Sequence, residues 1–266
     1  VEADFDREVA PGHTLGVMLG EESYSTTYAG AYADRKGFPF GGLYELNSAA
    51  TGVGSTSYAD NYRLLSFFSR AEYDYKDKYY ASASIRTDGS SKFAPQSRWG
   101  RFWSFGASWR INNEDFLKDV SWIDNLKIKA SYGAVGSDQL GSNYLYQGLY
   151  GTGYNDYQNA GVLISRLPNE TLKWETNLQF NTGVDFALFR KLTGSIEFFN
   201  RKSKDLLFTM PMALSTGFSG IDRNVGDVKN YGIEATFDIA VVNNDNFQWN
   251  INWYCLSCGP YLGRLF

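Results

Sequence analysis

The chain has 266 residues, 43% hydrophobic and 20% charged, which excludes wholesale disorder and leaves room for one large domain or two ordinary ones. Lys and Arg number 25 against 29 Asp and Glu, a net charge of −4 that lacks the basic surplus of a nucleic-acid binder. No run approaches the roughly 18 apolar residues of a transmembrane helix, no segment reads as a signal peptide, and two cysteines cannot staple a chain of this length.

Aromatics reach 17% and Gly outnumbers Pro by 27 to 6, which suits strands and turns. In chain order, 13–20 reads as a short strand, with room for another before Pro11. The stretch 21–62 reads as a long link. Segments 63–75 and 79–87 alternate loosely. Trp103, Phe105, Ala107, Trp109 and Ile111 then alternate with Ser104, Gly106, Ser108 and Arg110. The link Asn112 to Asn125 holds Glu114-Asp-Phe-Leu-Lys118, one helical turn capped by Asn112 or Asn113. Leu126, Ile128, Ala130 and Tyr132 resume the alternation.

The clearest segment is 173–189. Its even positions read Trp174, Thr176, Leu178, Phe180, Thr182, Val184, Phe186 and Leu188; its odd positions read Lys173, Glu175, Asn177, Gln179, Asn181, Gly183 and Asp185. A period of two separates an apolar face from a polar one, the mark of a half-buried strand. Segments 231–241 and 247–253 follow the same rule, and 192–209 less strictly. About nine strands result, with room for a tenth before Pro11 and no long helix.

Tight turns at 76–78, 189–191 and 243–246 separate long links at 21–62, 88–98, 134–171 and 210–228. In an antiparallel up-and-down sheet every second connection falls on the same side. One rim therefore carries turns and the other long loops, as in outer-membrane barrels. Segment 173–188 exceeds the roughly 5–6 residues of a soluble sandwich strand and the about 9–11 of a tilted membrane strand. Tyr73, Tyr75, Tyr79, Tyr80, Phe186, Phe189, Phe247 and Trp249 flank the short turns like an interfacial girdle. The fold class expected is all-β, an antiparallel transmembrane β-barrel segment. Its even side chains from Trp174 to Leu188 face lipid, and Glu175, Asn177 and Gln179 face the lumen.

An ordered series of motifs carries a resemblance. Arg86-Thr-Asp-Gly-Ser-Ser-Lys-Phe93 is followed by Arg98-Trp-Gly-Arg-Phe102, Ser108-Trp-Arg110 and Asn113-Glu-Asp-Phe116. Leu126-Lys-Ile-Lys-Ala-Ser-Tyr-Gly133 with Gly136, Leu172-Lys-Trp-Glu175, Gly183-Val-Asp-Phe186, Asp205-Leu-Leu207 and Asn230-Tyr-Gly-Ile-Glu234 continue it. Over roughly 10–254 the chain resembles the SusC/RagA family of TonB-dependent outer-membrane transporters, with Ser137 standing where that family has Asn. The resemblance implies a piece of a plugged barrel, residues 1–254, without the plug and TonB-contact segment. Residues 255–266 form an atypical tail that departs from the pattern. It also implies partners: a SusD-like lipoprotein, the TonB complex through the missing plug region, outer-membrane lipid and an oligosaccharide or peptide substrate. No enzyme activity, cofactor or nucleic acid is expected. The competing readings are a passive porin or receptor, and a soluble β-sandwich that binds glycans, whose apolar face a second sheet would bury.

Other constellations carry little chemistry. Cys255-Leu-Ser-Cys258 lacks the further ligands zinc needs, with His13 far away. Gly52-Val-Gly54 and Gly151-Thr-Gly153 lack the Lys-Ser/Thr of a phosphate loop, and Asp222-Arg-Asn-Val-Gly-Asp227 lacks an EF-hand's spaced acids. Ligand contact is expected instead from the loop 134–171. There Tyr144, Tyr146, Tyr150, Tyr154 and Tyr157 lie among Gly, Asn, Asp and Gln, and tyrosine faces beside amides suit sugars or peptides.

Overall fold

The computed structural model describes residues 1–139, 141–244 and 247–262. Ten strands form one antiparallel sheet. They are β1 (Glu2–Ala10), β2 (His13–Lys36), β3 (Thr51–Tyr75), β4 (Tyr79–Ser90), β5 (Trp99–Arg110), β6 (Ile123–Ser137), β9 (Glu175–Leu188), β10 (Leu192–Lys204), β13 (Val228–Asn244) and β14 (Phe247–Leu262). Two hairpins stand apart from it: β7 (Leu149–Thr152) with β8 (Val162–Arg166), and β11 (Leu207–Pro211) with β12 (Gly220–Asn224). Every main strand pairs with its neighbours in chain order. Among the described residues β1 and β14 remain edges, so the sheet is an arc of barrel wall.

Strand parity puts the connections 11–12, 76–78, 111–122 and 189–191 on one rim, and 37–50, 91–98, 138–174 and 205–227 on the other. The expected division into a turn rim and a loop rim holds. Of the turn expected at 243–246, residues 245 and 246 lie outside the described residues. The turns at 76–78 and 189–191 need positive φ at non-glycine positions, Lys76 (54°) with Asp77 (53°) and Phe189 (57°) with Arg190 (56°). Outside bonds hold them. Asn113 donates to the Asp77 carbonyl at 2.8 Å, and the Arg190 N–H donates to Asp124 at 2.6 Å.

The register sorts side chains as the periodicity predicts. Val184 lies beside Ile196, which lies beside Ala235; Phe186, Gly194, Phe237 and Trp253 form the next row. This face is uncovered: Ile196 is 44% exposed and Trp253 52%. The opposite face is polar. Lys129 of β6 bonds to Asp185 of β9 at 2.9 Å and to Glu197 of β10, and Ser84 meets Ser104 at 2.6 Å. An apolar face open beside a charged one overturns the soluble sandwich, which needs a second sheet there. It fits a wall with lipid on one side and a wet lumen on the other.

Four readings need correction. The link 21–62 is mostly strand, since β2 and β3 pair from His13↔Tyr75 to Lys36↔Thr51 and leave only 37–50 as loop. Its upper half leaves the bilayer and so carries no apolar–polar contrast to read. The segment 192–209 breaks at Asp205, whose φ is 56°, before β11 begins. Trp174 precedes β9 and leaves the lipid-facing row; it is buried at 8% exposure against Phe93 and Phe102. The turn around Glu114 is two short 3-10 turns without a side-chain cap; Asn112 accepts from the Leu126 N–H instead. After Trp253, β14 continues to Leu262 opposite Val228.

Candidate ligand-facing rim

A glycine-containing motif at the end of β4 builds the floor of the loop rim. Arg86 donates to Asp88 at 2.6 Å, to Glu22 at 2.8 Å and to the Ser66 hydroxyl at 2.9 Å, and stands over the Phe68 ring. Asp88, Ser66 and Ser90 are buried, so these bonds replace the water they have lost. Trp99 covers Gly89, where a Cβ would come within 2.9 Å of its ring. Ser90 donates to Asp138 at 2.7 Å, and Lys92 donates to the Asp138 carbonyl at 2.9 Å with its ammonium over the Tyr62 ring. Tyr62 donates to the same Asp138 carboxylate at 2.8 Å. Phe93 ends the motif fully buried. The stretch Arg86 to Phe93 thus clamps the first residue of the long loop 138–174 onto the wall.

Above that clamp sits the main apolar cluster among the described residues: Phe93, Phe102, Leu145, Leu172 and Trp174. The Trp174 indole N–H donates to the Arg98 carbonyl at 2.9 Å, which satisfies its polar handle. A cavity of about 590 Å³ opens beside it, lined by Arg86, Asp88, Phe102, Asp138, Trp174 and Asn177. The second small hairpin is tied down next to it: Asn169 donates to the Asp222 carbonyl at 2.6 Å, and Asn224 donates to the Lys173 carbonyl at 2.8 Å.

The five rim tyrosines divide into two sets. The Tyr144 hydroxyl accepts from the Asn61 N–H at 2.8 Å, and Tyr146 packs against the apolar cluster. Both are half-buried and anchor the foot of the loop. Tyr150 and Tyr154 lie on and beside β7, and Tyr157 is at the hairpin tip with φ 54° and 94% exposure. Asp138, Tyr62, Asp60 and Asn143, which sequence reading passed over, join the loop to the wall; Asn143 donates to Asp60 at 2.8 Å. Their pairing spans more than 70 positions in sequence, so no local signal marks it.

The remaining candidates do not converge. Cys255 and Cys258 are exposed, free and opposite Ala235 and Gly232, an odd spacing that puts them on different faces. His13 meets the Tyr73 hydroxyl at 2.6 Å and the Tyr75 ring, a structural role at the turn rim. Asp222 accepts from Thr209, while Asp227 pairs with Lys202 at 2.8 Å. No group of three potential metal ligands exists among the described residues.

Comparison with known proteins agrees with this geometry. Residues 2–258 match the family model described as TonB dependent receptor-like, beta-barrel. The chain is 36% identical over 215 residues to TonB-dependent receptor P39 of Formosa agariphila, covering 80% of this chain and 20% of that protein. It is 32% identical over 206 residues to TonB-dependent receptor SusC of Bacteroides thetaiotaomicron, again with 20% of that protein covered. The chain therefore spans about a fifth of the length of these curated relatives. Among solved structures, the RagAB peptide importer in its open-open state superposes with a TM-score of 0.90 at 28% identity, over 100% of this chain and 29% of that one. Sheet, rims and relatives agree: this is an arc of an outer-membrane barrel wall, and the chain belongs to the TonB-dependent receptor-like β-barrel family.

Proposed function

We propose that the intact protein imports nutrient oligosaccharides or peptides across the outer membrane in a TonB-dependent manner, as the barrel partner of a SusD-like lipoprotein. The observation that carries this reading is the asymmetry of the wall. Its lumenal face is charged and hydrogen-bonded, and only one rim is built up, with two extra hairpins and a buried clamp. A rim that serves as mouth and docking ring for a capping partner needs such ordered loops, because loops present side chains without breaking the barrel ladder. The relatives support the reading by their names, as TonB-dependent receptors and a peptide importer. Transport of this kind needs binding and movement and no covalent step.

Ligand contact falls on the loop rim, with Tyr150, Tyr154 and Tyr157 presented above the anchoring Tyr144 and Tyr146. The test is deletion of residues 142–158 in the full-length transporter, with substrate uptake and partner co-purification measured together. Loss of either, with normal insertion of the barrel, is the expected result. Undiminished uptake with undiminished partner recovery removes this loop from the site.

A further inference from the structure

The upper half of the β2–β3 pair carries a feature that the rim loops do not explain. Through β4 the main sheet reaches β3 only from Leu64 downward. About 9–11 residues above the His13–Tyr75 rim suffice to cross the bilayer. Residues 24–36 and 51–63, paired with each other, therefore stand beyond the membrane as a ribbon on the loop side.

On the lumenal face of this ribbon the register places one tyrosine at every second position, on alternating strands. Tyr24 comes first. Tyr62 follows opposite Thr26, then Tyr28, then Tyr58 opposite Gly30, then Tyr32. At about 3.3 Å per residue the rungs are spaced about 6.6 Å apart, and the five cover about 26 Å. Neighbouring rungs touch: the Tyr24 and Tyr62 rings are 5.8 Å apart, and Tyr28 and Tyr58 are 5.6 Å apart. Gly30 has a cause here, since a Cβ would come within 2.7 Å of the Tyr58 ring and hydroxyl. Yet the ring faces stay open. Tyr28 is 62% exposed, Tyr32 61% and Tyr58 52%, which is far from the burial of a packing cluster.

Between its ends, the polar groups of this face accept or are neutral. Asp60, Thr26 and Thr56 stand beside the rings with Asp34 one rung beyond Tyr32, and the cations are at the two ends, Lys92 over the Tyr62 ring and Arg35 and Lys36 past Asp34. Asp60 also accepts from Asn143, so the ladder runs into the foot of the long loop. The middle of the surface, from Tyr28 through Tyr58 to Tyr32, carries no cation of its own to hold an anionic ligand or a peptide carboxylate. It offers flat apolar rings at a regular pitch with hydroxyl-accepting oxygens between them, which matches the C–H faces and hydroxyls of a neutral sugar chain.

We propose that the ribbon is a binding platform for a neutral oligosaccharide, which lies along Tyr24, Tyr62, Tyr28, Tyr58 and Tyr32 before it enters the lumen. A chain is the fit and a monosaccharide is not, because one sugar covers one rung. The proposal rests on the import reading above and names its ligand class.

The test uses the full-length transporter with its partner, purified in detergent. Binding of maltoheptaose, cellohexaose, xylohexaose, mannohexaose and an uncharged octapeptide is measured by calorimetry. At least one glycan should bind, and replacing Tyr28, Tyr32 and Tyr58 together by Ala should weaken it about tenfold or more. The triple Phe variant keeps the ring faces and should retain most of the affinity. If the Ala variant fails to reach the membrane, the triple Leu variant supplies bulk without a flat ring and should show the same loss. Unchanged glycan binding in the Ala or Leu variant overturns the platform. So does binding of none of the glycans, or a loss confined to the octapeptide. Nutrient uptake that persists without TonB refutes the import reading instead, whichever way the ladder variants behave.

Discussion

Trp174 and Arg98 are joined across 76 positions by one hydrogen bond, 2.9 Å from the indole nitrogen to the Arg98 carbonyl oxygen. It ties the end of the long loop to the wall, with Leu172 and Phe93 of the same cluster fully buried. Removing the ring by Trp174→Ala should cost about 3–5 kcal/mol through the cavity left behind. Trp174→Phe keeps most of the packing but strands the carbonyl, at a cost of about 1 kcal/mol. Limited proteolysis of the rim loops and thermal unfolding in detergent check both. Equal protease resistance in all three proteins would mean that the cluster does not hold the rim.

Gly133 and Gly136 of β6 both sit where a neighbour leaves no room for a side chain. A Cβ on Gly133 would stand 2.9 Å from both the Ser104 Cβ and the Trp103 carbonyl oxygen. On Gly136 it would overlap the Phe102 ring. Gly133→Ala has backbone on one side, which cannot move without disturbing the β5–β6 ladder. It should destabilise by about 1–3 kcal/mol. Gly136→Ala meets a side chain that can shift. It should cost less in global stability but perturb the Phe102–Trp174 contact, visible as a change in tryptophan fluorescence. A larger loss of stability at Gly136 than at Gly133 would contradict this ordering.

The periodicity of β9 was readable because lipid and lumen impose opposite chemistry on alternate residues, from Thr176 to Leu188. The same rule fails above the membrane. Along β2 from Tyr24 to Lys36 both faces meet water, so Ser, Thr, Ala and Tyr alternate without contrast and the segment reads as loop. Trp174 was misplaced for a related reason. Its parity matches the lipid face, but the strand begins one residue later and the ring turns into the loop cluster. The rim tyrosines were visible as composition. The clamp beneath them was not, because Asp138 meets Tyr62, Ser90 and Lys92 only after four strands, β3 to β6, have been laid side by side.

The two faces of β10 should respond oppositely to charge. Ile196 lies on the open apolar face between Val184 and Ala235, while Ser195 faces the lumen and meets Thr236 at 2.8 Å. Ile196→Lys puts an ammonium into hydrocarbon, at about 2–4 kcal/mol near the midplane. Ser195→Lys puts it into a polar lumen and loses one hydrogen bond, about 1 kcal/mol. The check is the amount of heat-modifiable barrel in outer-membrane fractions of cells making the full-length protein. Ile196→Lys should lower it strongly and Ser195→Lys only slightly. The reverse order would exchange the lipid and lumenal faces.

At the opposite rim, Glu114 gathers three donors from the turn and the strands beside it: Lys78 at 2.9 Å, the Tyr79 hydroxyl at 2.6 Å and the Trp109 indole at 3.0 Å. All three favour the ionised carboxylate. The Tyr79 and Lys78 bonds weigh most, and the carboxyl is held down to about 2 from an ordinary 4.5. A depressed carboxylate stabilises the fold fully above its ordinary value, and that contribution is lost as the pH falls from about 4.5 through about 2. Glu114→Gln keeps the shape and removes the charge, so it should unfold at a lower temperature at pH 7. It should also show a smaller further drop in melting temperature between pH 5 and pH 2 than the native protein. The difference between the two pH profiles is the readout, since other carboxylates titrate in both. Parallel profiles would mean that Glu114 is a bystander and that the turn rim is held by its other bonds, Asn113 to the Asp77 carbonyl among them.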